Sequence, residues 1–135
     1  MIITYANKKD LAWLTRNDKY VSGEVLGKKI TSREILIAKS GKSVVGWLRF
    51  GFFWDSIPFI NRLHIEEKYR KQGIGKSMVE FFEKEMKRKK HKFVMLSSMA
   101  SEEAQYFYRK LGYKDIGGLV ILKEEGLELF FKKEL

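Results

Sequence analysis

EKYRKQGIGKSMVEFFEKEM, residues 67–86, sets a cationic bend with two glycines directly before a helical pattern. Ile74, Met78, Phe81, Phe82 and Met86 recur at spacings that gather them on one side, which predicts a helix from about Ile74 to Lys89. A face that broad must be covered by a sheet. The apolar, β-branched run IPFINRLHI, Ile57 to Ile65, precedes the bend and reads as a strand, so the bend is a strand-loop-helix junction. The first amides of a helix have no intrahelical acceptor and its dipole is positive there, so such a junction attracts an anion. Gly73 and Gly75 allow close approach to the main chain, and Arg70, Lys71 and Lys76 add charge around it. A diphosphate matches this description, with a plain tight turn as the competing reading. The pattern G-x-x-x-x-G-K-S/T is absent and G-x-G-x-x-G fails because residue 78 is Met, which argues against ATP and dinucleotide loops.

Outward from the bend, IITY is a short strand, KKDLAWLTRNDKY has helical apolar spacing, and a second helical piece surrounds SGEVLGKKI. REILIAKSGKSVVGWLRFGFFW places two β-rich runs around Ser40-Gly41 and reads as a hairpin. KFVMLSS is a strand. SEEAQYFYRKLG is a helix with Ser101 as its N-cap, Glu102 and Glu103 in its first turn and Gly112 at its end. LELFFKK closes the chain as a strand. The order β, α, α, β, β, β, α, β, α, β, β predicts a mixed α/β (α+β) sheet domain. At 135 residues, with no internal repeat or linker-like segment, the chain is expected to form a single domain over 1–135.

Cysteine is absent, which removes disulfides, thiolate metal sites and a cysteine nucleophile; with two histidines left, no metal is expected. No apolar run approaches a membrane span and no apolar leader opens the chain, so a cytoplasmic protein without a membrane partner is expected. The net charge of +10 biases partners toward anions. Much of it lies in KEMKRKKHK, Lys84 to Lys92, a solvated helix end whose lack of interleaved aromatics argues against nucleic acid.

YRKQGIGKSMVEFFE resembles the acyl-CoA signature of the GNAT N-acetyltransferase superfamily, R/Q-x-x-G-x-G/A, at Arg70, Gly73 and Gly75. SEEAQYFYRKLGY resembles its second recurring segment, N-x-x-A-x-x-F-Y-x-x-x-G-F/Y, at Ala104, Phe107, Tyr108, Gly112 and Tyr113, with Ser101 where Asn is usual. The resemblance implies a mostly antiparallel sheet of about six to seven strands flanked by about four helices. It implies an acetyl-CoA-dependent transfer of an acetyl group to a primary amine of a small molecule, peptide or protein, with no covalent enzyme intermediate, and a homodimer as a family-based expectation. It assigns the diphosphate to Arg70, Lys71, Gln72, Gly73, Ile74, Gly75 and Lys76. Main-chain contacts to the pantetheine arm and thioester fall to Leu63, His64 and Ile65, with a further cofactor contact at Ser101.

Tyr108 stands at the position of the family's general acid. A tyrosine's ordinary pKa of about 10 keeps it protonated near neutrality, ready to protonate a leaving thiolate whose thiol pKa is roughly 8.5 by analogy with Cys. Packing within the stripe Ala104, Phe107, Tyr108, Leu111 is the competing role. Phe59 stands where some relatives carry a catalytic Glu, so Asp55 is the candidate base, directly or through water, against a plain loop Asp. His64 is a further base candidate on the strand face opposite Leu63 and Ile65. Trp47, Phe50, Phe52, Phe53 and Trp54 are core or pocket aromatics. A non-catalytic acyl-CoA-binding regulatory module is the alternative function.

Overall fold

Gly41, at φ +63, turns the chain so that Ser40 pairs with Ser43 across the hairpin expected at this point. The computed structural model describes residues 1–135. Its strands are β1 (Ile2–Tyr5), β2 (Ile35–Ser40), β3 (Ser43–Phe53), β4 (Ile57–Ile65), β5 (Phe93–Met99), β6 (Lys114–Leu119) and β7 (Glu128–Glu134). Its α-helices are α1 (Leu11–Asn17), α2 (Gly23–Thr31), α3 (Ile74–Arg88) and α4 (Ala104–Lys110). The strands bond in the order β1-β2-β3-β4-β5-β7-β6, with β4 and β5 parallel and most other neighbours antiparallel. This is the expected α/β sheet architecture with the expected element order.

Two compact units divide the chain: Met1–Phe50 with Arg62–Phe82, and Gly51–Asn61 with Glu83–Leu135. In the first, β2 is buried along Ile35–Ala38, as a strand covered on both faces must be. Ile35, Ile37 and Trp47 meet Leu14, Leu26 and Ile30 of α1 and α2, and Trp13 stands edge-on to Trp47 at 5.6 Å. Phe50, on the opposite face by strand alternation, meets Phe82 of α3 edge-on at 5.0 Å. Ser22 caps α2 by accepting from Val25 N, as Ser does at this position. Along α3 the predicted face holds: Ile74, Met78, Phe82 and Met86 are buried, and Phe81 is half-buried against Tyr5.

In the second unit the end of α4 is a Schellman turn. Gly112, at φ +96, donates to Arg109 O and Tyr113 N donates to Tyr108 O. Tyr113 is thereby buried, and its hydroxyl donates to Glu83 Oε2 at 2.8 Å while Lys133 Nζ holds Glu83 Oε1 at 2.9 Å. Burial first, and then the Glu83 carboxylate, push the Tyr113 hydroxyl far above its ordinary pKa.

The start of α4 corrects the sequence reading. The helix begins at Ala104, Glu103 occupies the cap position without a capping bond, and Ser101 lies exposed in the turn before it. The buried Gln105 is the reason. Its amide reaches back to Ala100 O and Glu102 O, both at 2.8 Å, and holds residues 100–103 as a turn, leaving Glu102 and Glu103 outside the helix.

Candidate active site

In the first unit a 3-10 turn at Glu67–Tyr69 links β4 to the bend. Lys71 has φ +61 and Gly73 φ +82, while Gln72 between them keeps a negative φ. Alternating handedness within a turn is a backbone feature from which main-chain anion nests are built. Lys71 adopts it at a steric cost; Gly73 does so freely, and a Cβ built there meets nothing within 4 Å. The first hydrogen-bonded rung of α3 is Ser77 N to Gly73 O at 3.0 Å, so the amides before it point forward into the bend. Arg70, Lys71 and Lys76 are exposed around them. Arg70 Nε donates to Ile65 O at 2.8 Å and ties the bend to the end of β4, so Leu63–Ile65 and Arg70–Lys76 form one neighbourhood. This open, cationic nest fits a diphosphate.

β4 pairs with β5 at two positions only, Phe59↔Met95 and Ile60↔Leu96, and the ladder ends there. Leu63, His64 and Ile65 follow, half-buried. Close packing with β3 fixes their backbone: a Cβ on Gly46 would lie 2.8 Å from His64 O and 2.7 Å from Ile65 Cδ1. His64 lies on the face of α1 and α2, its ring 4.6 Å from that of Trp47. Burial, then the Arg62 guanidinium, lower its pKa, so His64 is neutral at pH 7.

That shift has a sign. The unfolded chain protonates His64 near pH 6.5 while the folded chain resists, so stability falls as pH drops below about 6.5. Urea midpoints between pH 7.5 and 5.5 are expected to fall less steeply in His64→Gln than in the parent. Equal slopes would remove His64 as the source.

Tyr108, Ser101 and Asp55 belong to the second unit and to separate elements. Tyr108 is 7% exposed, edge-on to Phe107 at 5.0 Å and to Tyr113 at 5.7 Å. Of its expected stripe, Ala104, Phe107 and Leu111 are half-buried, and Gln105 joins Tyr108 as the buried pair. Asp55 is exposed at the β3–β4 turn, where Trp54 and Asp55 have φ +53 and +65, and Ser56 N bonds Phe53 O. Trp54 is 79% exposed, Phe52 and Phe53 are partly exposed, and Trp47 and Phe50 are core.

Sequence reasoning missed a cluster in the first unit. Asp18 and Arg49 form a buried ion pair at 2.8 Å, Tyr20 N donates to Asp18 Oδ1, and the Arg62 guanidinium lies 4.7 Å from the centre of the Tyr20 ring. A cleft of about 1070 Å³ was missed as well, lined by Lys9, Trp13, Lys39, Lys42, Glu66 and Tyr69 among others. Both gather residues from distant segments, which no local spacing signals.

With this geometry in hand, a family model described as an acetyltransferase (GNAT) domain matches residues 31–115. The chain belongs to the GNAT acetyltransferase family, whose sheet and helices it has. No curated protein matches the sequence significantly. Among solved structures, a ribosomal-protein-alanine N-acetyltransferase from Brucella melitensis is 21% identical over 100% of both chains, with a TM-score of 0.84. Ard1 from Thermoplasma volcanium is 17% identical over 99% of this chain and 97% of its own, with a TM-score of 0.86. A PaiA N-acetyltransferase from Thermoplasma acidophilum, in complex with coenzyme A, is 20% identical over 99% of this chain and 98% of its own, at 0.80. At these identities the likeness is one of fold. No helix is long and apolar enough to cross a membrane.

Proposed function

We propose that the whole chain is one acetyltransferase domain that moves the acetyl group of acetyl-CoA to a primary amine of a small molecule, peptide or protein. The observation that carries the reading is the nest at Lys71–Gly73, with its alternating φ and exposed cations at the mouth of α3. Family membership and the coenzyme A complex of the PaiA relative support it.

Bound acetyl-CoA would supply a thioester carbonyl open to attack by an amine. Arg70–Lys76 hold the diphosphate through main-chain amides, Arg and Lys charge, and Gly73's missing side chain. The main chain of Leu63, His64 and Ile65 aligns the pantetheine arm, with Ser101 as an outer contact. Tyr108 Oη gives its proton to the departing sulfur, and Asp55 takes a proton from the ammonium form of the acceptor, directly or through water. A cytoplasmic setting and a homodimer complete the proposal.

Thermal melting with acetyl-CoA tests it. At a hundred times Kd, ligand linkage predicts about 2.7 kcal/mol of stabilisation. Gly73→Val is expected to abolish most of that gain, since it places a branched side chain at φ +82 inside the nest. An unshifted melting point at millimolar acetyl-CoA would overturn the reading. Binding without amine-dependent release of free thiol would support a non-catalytic acyl-CoA-binding module instead.

A further inference from the structure

Three arginines are at least partly buried: Arg49, Arg62 and Arg109. Arg49 is matched to Asp18 and Arg109 to Asp115, each at 2.8 Å. Arg62 has no carboxylate partner. Its Nε–H is buried without an acceptor, and its Nη2 comes only within 3.4 Å of His64 Nδ1. A neutral His64 offers that guanidinium no countercharge.

The surroundings hold Arg62 in place without neutralising it. Asp18, the acid of the neighbouring α1–α2 connection, already accepts from Arg49 and from Tyr20 N. Tyr20, on the same connection, covers the guanidinium with its ring while remaining 73% exposed. Glu66 lies 3.9 Å from His64 Nε2, on the other side of the imidazole from the nitrogen that Arg62 approaches. The result is a fixed cation under an accessible aromatic cover, with one hydrogen-bond donor unused. A guanidinium fork donates two parallel bonds to a carboxylate, and its single net charge matches one carboxylate better than a doubly charged phosphate.

We propose that Arg62, with Tyr20, binds a carboxylate carried by the acceptor, so that the amine substrate is an amino acid or an acidic peptide. This rests on the transferase reading above, because β4 residues Leu63–Ile65 that follow Arg62 are there assigned to the thioester.

Glutamate, its α-amide, its γ-amide glutamine, and the diamide separate the alternatives, since all four share one amine. The Arg62 Nε–H resonance, observed without cofactor, is expected to shift with at least one carboxylate-bearing member and not with the diamide. In acetylation assays the best acid should exceed the diamide in kcat/KM by about 10–100-fold, the weight of a charge-assisted hydrogen bond. Arg62→Gln should erase that preference, and Arg62→Lys should restore part of it. If the diamide shifts the resonance and reacts as well as the acids, the carboxylate assignment is wrong while the transferase reading stands. If acetyl-CoA fails to bind yet Arg62 still responds to the acids alone, the carboxylate site stands and its role in acetyl transfer falls.

Discussion

Tyr108→Phe is expected to lower kcat by about 10²–10⁴-fold, the usual weight of a positioned general acid, while acetyl-CoA affinity and melting temperature change little. The variant keeps the ring, and with it the edge contacts to Phe107 and Tyr113. The Schellman turn that anchors residue 108 uses its carbonyl, which the substitution leaves in place. Steady-state kinetics with a thiol readout, beside a coenzyme A titration, separate chemistry from packing. An unchanged kcat rules out the acid role; parallel losses of affinity and melting temperature would make Tyr108 a packing residue. In the same assay Asp55→Asn should lower the rate most at acidic pH, where the acceptor amine is fully protonated. A pH profile identical to the parent's excludes Asp55 as the base.

Asp18→Ala is expected to cost about 3–5 kcal/mol, because it leaves the Arg49 guanidinium buried with no counterion. Both side chains are almost completely buried, and the pair at 2.8 Å pins the α1–α2 connection to β3. Replacing both partners by apolar residues, Asp18→Leu with Arg49→Met, is expected to restore most of the stability, since no charge is then left without a partner. Urea unfolding of the two variants checks this. A loss below about 1 kcal/mol in the single variant would show that water or another group reaches Arg49, contrary to its burial. The same loosening should free Tyr20, whose amide also bonds Asp18, and weaken its cover over Arg62.

Much of the fold was legible because it depends on short-range spacing. The Ser40-Gly41 turn, the β4 boundaries at Ile57 and Ile65, the α3 face and the Gly112 stop all appear where alternation, helical period and glycine chemistry place them. The bend was legible in kind: glycines and cations before a helix announce it, and the backbone adds positive φ at Lys71 and Gly73. Ser101 was misread because a capping preference competes with a specific side-chain bond. The Gln105 amide, two hydrogen bonds to the turn carbonyls, outweighs a generic Ser cap.

What the sequence alone determined is the order of elements, the character of the bend and the membership of two recurring signatures, all properties of neighbours within a few turns of chain. Which cations are matched and which are left over was decided by tertiary structure. Asp18 and Arg49 lie 31 residues apart, and Tyr20 and Arg62 come from different elements, so no local period records their meeting. Burial makes those pairings matter, because a charge removed from water depends on the one group that folding happens to set beside it.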